Sequence, residues 1–148
     1  MSTNEPRTVS GSLMGERSKG RVVKAREGYT AEQGTDYHPG ISAETVGAKT
    51  LWFGSVVLPP GRRTKAHIHP HHESAFYMLS GDEVELWTGD ALQYREVAHP
   101  GDYLFIPAGV LHVAVNRGAN PAVFIGSRNE PTAHESVVMY PTMDTKVP

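Results

Sequence analysis

The sequence predicts an all-β domain closed into a barrel or sandwich. Three observations carry this: short runs rich in β-branched and aromatic residues, turn residues at regular spacing between them, and no long helical period. The runs fall at 21–26, 51–58, 64–69, 75–79, 83–88, 91–97, 103–106, 112–116, 122–128 and 137–140. Between them stand Pro59-Pro60-Gly61, Ser80-Gly81-Asp82, Thr88-Gly89-Asp90, Pro100-Gly101-Asp102, Pro107-Ala108-Gly109 and the stretch 116–121. Strands punctuated every 8–12 residues or so by such turns are the pattern of sandwiches and barrels. Residues 31–33 could form one helical turn.

The 148 residues suit one domain. Residues 1–20 are rich in Ser, Gly, Thr and charge and read as a flexible arm, 21–141 as the domain, and 142–148 as a tail. The chain has no cysteine, which removes disulfides, thiolate metal sites and cysteine nucleophiles. A formal net charge of −2 carries no nucleic-acid footprint. No apolar run is long enough to span a bilayer, and residues 1–20 lack the apolar centre of a signal peptide. A soluble, cytoplasmic protein is the expectation.

The chemistry is concentrated in Gly61-Arg-Arg-Thr-Lys-Ala-His67-Ile-His69-Pro-His71-His72-Glu73. A strand puts residues i and i+2 on one side, so His67 and His69 point together into one space. Imidazole is the commonest metal ligand and carboxylate a frequent companion. After a turn at Pro70, Glu73 can return to the same ion, and His112 offers a third wall. Taken alone, four histidines in six residues also fit a solvated turn, and His112 alone fits a hydrogen-bonded structural role.

Both segments together resemble the cupin superfamily, in particular its small single-domain members. Gly61, five residues, His67-x-His69, three residues and Glu73 is similar to the first cupin motif. Gly101, five residues, Pro107-x-Gly109, two residues, His112, three residues and Asn116 is similar to the second. The resemblance covers about 51–128 and implies a double-stranded β-helix (jelly-roll) barrel. It also implies a metal near the centre, held by His67, His69, His112 and Glu73. One spacing departs from the pattern: seven residues, not six, separate Glu73 from Gly81. Counting back from Gly81 puts Ser74 at the ligand position. A one-residue bulge at the strand start would restore Glu73. Without it Glu73 faces outward, His72 shares the inward face with Ser74, and the site is all-histidine. His71 reads as solvent-exposed.

A set of histidines with one carboxylate suits Fe, Mn, Ni, Co or Zn. Open coordination positions would bind water, dioxygen or a bidentate oxygen substrate. The resemblance implies a metal-dependent enzyme acting on a small oxygenated molecule, with dioxygenase-like oxidoreductase chemistry ahead of isomerase, decarboxylase or lyase chemistry. A non-catalytic small-molecule binder is the alternative. Glu73 is the group able to change between ligand and base. Phe76 and Met78, or Tyr77 in the other register, are candidate pocket residues or core filling, and Arg128 could pair with a substrate carboxylate or lie on the surface. No nucleic-acid or membrane partner is expected. Exposed sheet edges favour a homodimer, with the arm and 21–26 crossing to the neighbour.

Overall fold

Strict alternation over two seven-residue runs builds the spine of the domain. In Trp52–Leu58 and Ala122–Arg128 every second residue is buried, and the runs pair antiparallel through seven registers, with Val56 opposite Phe124. A computed structural model describes residues 19–148. Its strands, in chain order, are β1 (Tyr29–Thr30), β2 (Asp36–Ile41), β3 (Trp52–Leu58), β4 (His67–Ile68), β5 (Ser74–Ser80), β6 (Val84–Thr88), β7 (Tyr94–Ala98), β8 (Tyr103–Ile106), β9 (His112–Val115), β10 (Ala122–Arg128) and β11 (Val138–Met139). They form two antiparallel sheets, ordered β1-β2-β3-β10-β5-β8 and β11-β4-β9-β6-β7. This is the double-stranded β-helix.

The inward faces of both sheets meet in one core of Tyr37, Trp52, Val56, Leu58, Met78, Val84, Ala98, Leu104, Ala122 and Phe124. A second cluster lies behind β9. Because His112 and Ala114 line the interior cavity, Val113 and Val115 point the other way, into a group with Ala66, Leu92, Leu111 and Val147. That group is covered by a 3-10 helix, Pro141–Lys146. Val147 is 3% exposed, and burial of such a side chain contributes roughly 1.5–3 kcal/mol. The segment after 141 therefore packs on the barrel, where composition alone suggested a loose tail.

Three further differences from the sequence reading have local causes. Residues 21–26 form no strand; they are almost wholly exposed and have no apolar face to bury. Two unexpected strands, β1 and β2, extend the larger sheet. Pro39 and Gly40 disguise β2, but β1 pairs only with Asp36 and Tyr37. The Pro39 end thus lies on the sheet edge, where proline is tolerated. A four-residue helix, α1 (Ala43–Val46), follows, capped by Ser42, whose hydroxyl accepts from the Thr45 N–H, and ended by Gly47 at φ 70°. Residues 31–33 lie in a turn, with Gln33 2% exposed. Most of the arm expected at 1–20 lies outside the described residues.

Candidate metal centre

His67 and His112 sit directly opposite each other on β4 and β9, and His69 follows β4. The Pro107–Gly109 turn that delivers His112 is tied to the first motif, because the Gly109 N–H donates to the His69 carbonyl at 2.8 Å. Gly109 adopts φ 77°, where a Cβ would be strained. The three rings converge, with centroids 4.1 Å apart for His67–His112, 4.8 Å for His67–His69 and 5.3 Å for His69–His112. One ring nitrogen from each lies within 4.8 Å of the others.

Each ring is oriented by a backbone carbonyl. Nδ1 lies 2.6 Å from Lys65 O in His67, 2.7 Å from Ser136 O in His69 and 2.9 Å from Val110 O in His112. A carbonyl only accepts, so Nδ1 carries the proton and Nε2 keeps a free lone pair. Burial depresses all three imidazoles: His67 to about 4, His69 downward, and His112 well below its ordinary value. Neutral rings, each with its other nitrogen already bonded, are what a divalent ion requires. The donor set fits a transition metal.

Glu73, expected as the fourth ligand and as the swing base, is not brought to these rings. It is exposed, and its N–H donates to Asn129 Oδ1 at 3.0 Å. The reason is register. Ser74, Phe76 and Met78 face inward along β5, so Glu73 shares the outward side with Ala75 and Tyr77. A bulge does exist in β5, but at its far end, where Val123 pairs with Ser80 and Phe124 with Met78. It cannot turn Glu73 inward. Ser74 occupies the inward position and lines the cavity with the three histidines. His72 also turns inward, 2% exposed, with its ring 4.5 Å from that of His69.

The cavity holds about 60 Å³. Its wall is mostly apolar, Phe76 included, and its polar groups besides the histidines are Gln33, Thr35, Tyr37, Thr64 and Ser74. Among the described residues no carboxylate, lysine or arginine is on that wall. Met78 is fully buried core, and Tyr77 packs on the opposite face against Tyr103, centroids 4.9 Å apart. Arg128, read from sequence as a substrate or surface group, is 5% exposed. It stacks over Trp52 at 4.6 Å and Tyr37 at 5.6 Å. It also donates to the carbonyls of Glu130 and Thr132. It pairs as well with Glu135, a residue that sequence reasoning does not single out. That residue lies in the irregular stretch between β10 and β11, with no periodicity or motif to mark it.

The cupin domain family matches residues 54–126, spanning both motifs and the barrel strands between them. The polyketide synthase protein CurC of Streptomyces cyaneus is 31% identical over 109 residues, covering 72% of this chain and 68% of that protein. The chain belongs to the cupin family. The tetracenomycin polyketide synthase protein TcmJ of Streptomyces glaucescens is 28% identical over 82 residues, 55% of this chain and 52% of that protein. The chain spans between 41% and 68% of the length of the curated relatives it matches. Among solved structures, oxalate decarboxylase of Bacillus subtilis, in work on its Mn(II) centres, superposes with a TM-score of 0.62. It is 20% identical over 77% of this chain and 30% of that one, a likeness of fold. Among the described residues no helix is long and apolar enough to cross a membrane.

Proposed function

We propose that this protein is a metal-dependent cupin enzyme that acts on a small oxygenated organic molecule, with dioxygenase-like oxidation as its reaction. His67, His69 and His112 would hold one divalent ion (Fe, Mn, Ni, Co or Zn). When bound, such an ion supplies Lewis acidity and, if redox-active, a site for dioxygen. One observation carries the reading: three oriented, neutral imidazoles converge on a cavity whose described wall adds no anionic fourth donor. Three protein ligands leave three positions of a six-coordinate ion, enough for a bidentate oxygen substrate and one further small molecule.

The chain's own residues do the rest. Phe76, Leu104, Ile106 and Phe124 make the wall apolar, which excludes water and strengthens polar interactions at the centre. The carbonyls of Lys65, Val110 and Ser136 fix the ring planes. Among the described residues the wall's basic groups are the three imidazoles, which a bound ion would take up, and this supports oxidation over reactions that begin with proton abstraction by a side chain.

The names of CurC and TcmJ motivate a second reading. In it a bound ion would supply Lewis acidity toward an enolisable polyketone, in isomerase, lyase or cyclisation chemistry, with the hydroxyls of Thr35, Tyr37, Thr64 and Ser74 on the cavity wall. Metal analysis of the purified protein comes first. Oxygen-electrode screening with 1,3-diketones, catechols and hydroxy acids then separates the two. Oxygen consumed in a one-to-one ratio with substrate supports the dioxygenase. Substrate conversion or solvent-deuterium incorporation under anaerobic conditions supports the Lewis-acid reading. Bound metal with no turnover in either leaves a binding protein. A homodimer remains the proposed assembly, supported by the exposed apolar side chains Tyr103 and Phe105 on β8, at the edge of the larger sheet. Light scattering at micromolar concentration tests it.

A further inference from the structure

Glu135 reaches the centre from a part of the chain that neither motif contains. Its side chain is 7% exposed. Oε2 lies 3.3 Å from Arg128 Nη1, 3.5 Å from His72 Nε2 and 3.8 Å from His69 Nδ1. Oε1 accepts from Gln33 Nε2 at 2.9 Å, and Gln33 also reaches the Tyr37 hydroxyl at 2.9 Å. The neighbouring residue, Ser136, supplies the carbonyl that orients His69. Two consecutive residues therefore set two of the three inward histidines of the first motif: Ser136 holds His69, and Glu135 faces His72, whose ring packs on His69 at 30°.

We propose that Glu135 supplies the carboxylate of this metal centre as a positioning residue, acting through His72 and His69, while Glu73 takes no part. This rests on the three-histidine metal reading above. Among the described residues His72 Nε2 is buried without a hydrogen-bond partner, and this carboxylate, at 3.5 Å, is the charged group that approaches it. Replacing the carboxylate by an amide would keep a polar group there but remove the negative charge that faces His72 Nε2, weakening the anchor of the ring packed on His69. His69, His72 and Glu135 also form a compact three-donor group, yet a second ion there is opposed by Arg128. Its guanidinium already occupies the same oxygen and would stand beside the added charge. The loop is built for rigidity: Arg128 ties it at Glu130 and Thr132, and Gln33 ties it to the turn before β2. Carboxylates that orient metal-bound histidines typically govern affinity by about 10- to 100-fold.

The test compares the full chain with Glu135→Gln and Glu73→Gln after loading with Co(II). The readouts are the dissociation constant for Co(II), the visible ligand-field spectrum and the melting temperature of the metal-free protein. The expected result is roughly 10- to 100-fold weaker Co(II) binding and an altered spectrum for Glu135→Gln. Glu73→Gln should match the wild type in both, and Glu135→Asp should recover part of the affinity. Wild-type affinity and spectrum in Glu135→Gln overturn the proposal, as does an equal loss in Glu73→Gln. If Glu135→Gln does not fold, Glu135→Asp is compared with Glu73→Asp in the same assays, and no difference between them overturns it. A wild-type protein that binds no Co(II), Mn(II) or Fe(II) refutes the metal reading itself and this one with it.

Discussion

Acidifying the metal-free protein should destabilise it in a pH window set by its buried histidines. His67 is held at about 4 against an ordinary value of 6.5, chiefly by burial. Between these values the unfolded chain binds a proton that the folded chain refuses, so stability falls as pH falls through this range and levels off below it. A shift of that size corresponds to about 3 kcal/mol for His67 alone, of which about 2 kcal/mol is lost between pH 7 and 4.5. His69 and His112 are shifted the same way and add to it. The carboxylates act in a lower window. Glu135, whose burial is outweighed by His72 and Arg128, is held at about 2. Its contribution is present above its ordinary value of 4.5 and is lost only as pH falls toward 2. Urea denaturation in chelator, at pH steps from 7.5 to 4.5, measures the slope. The variant His67→Asn, which cannot titrate, should recover about 2 kcal/mol of it. A stability that is flat over this range, or a slope unchanged by His67→Asn, would refute the picture of buried neutral imidazoles.

His112→Ala removes one of three donors and should abolish stoichiometric metal binding, read by metal analysis after dialysis, while circular dichroism stays that of a β protein. For the wild type, adding chelator to metal-loaded protein should lower the melting temperature. At free metal 100 times its dissociation constant the ion contributes roughly 2.7 kcal/mol, or several degrees for a domain of this size. Gly126→Ala tests the packing that shapes the cavity. A Cβ there would stand 2.8 Å from the Phe76 ring and 3.1 Å from Val56, so a loss of about 1–3 kcal/mol in denaturant melts is expected.

The barrel strands and the identities of His67, His69 and His112 were legible because they rest on local rules. Alternation and turn residues marked β3, β8 and β10 to within a residue. The i, i+2 spacing placed His67 and His69 on one side, and the second motif located His112. What failed had non-local causes. Strand β2 carries Pro39 and Gly40 and is a strand only because β3 and β1 flank it. Residues 141–147 have a loose composition and are ordered because Val147 fills a gap behind β9. Arg128 looked like a surface or substrate cation, yet Trp52, Tyr37 and Glu135 enclose it.

By itself, then, the order of residues determined an all-β barrel or sandwich and two imidazoles on one side of a strand, since period-two alternation acts over a few residues. The jelly-roll and the inward place of His112 followed from the resemblance of the two motifs to the cupin superfamily. Only the tertiary structure decided which carboxylate stands near these imidazoles. The side on which Glu73 falls depends on where a bulge sits in β5, and the sequence allows that extra residue at either end. Pairing with β10 puts it at Leu79, turning Glu73 outward and Ser74 inward. Glu135, more than sixty residues farther along, arrives because the loop after β10 is pinned by Arg128 and Gln33, contacts between segments that no local pattern encodes.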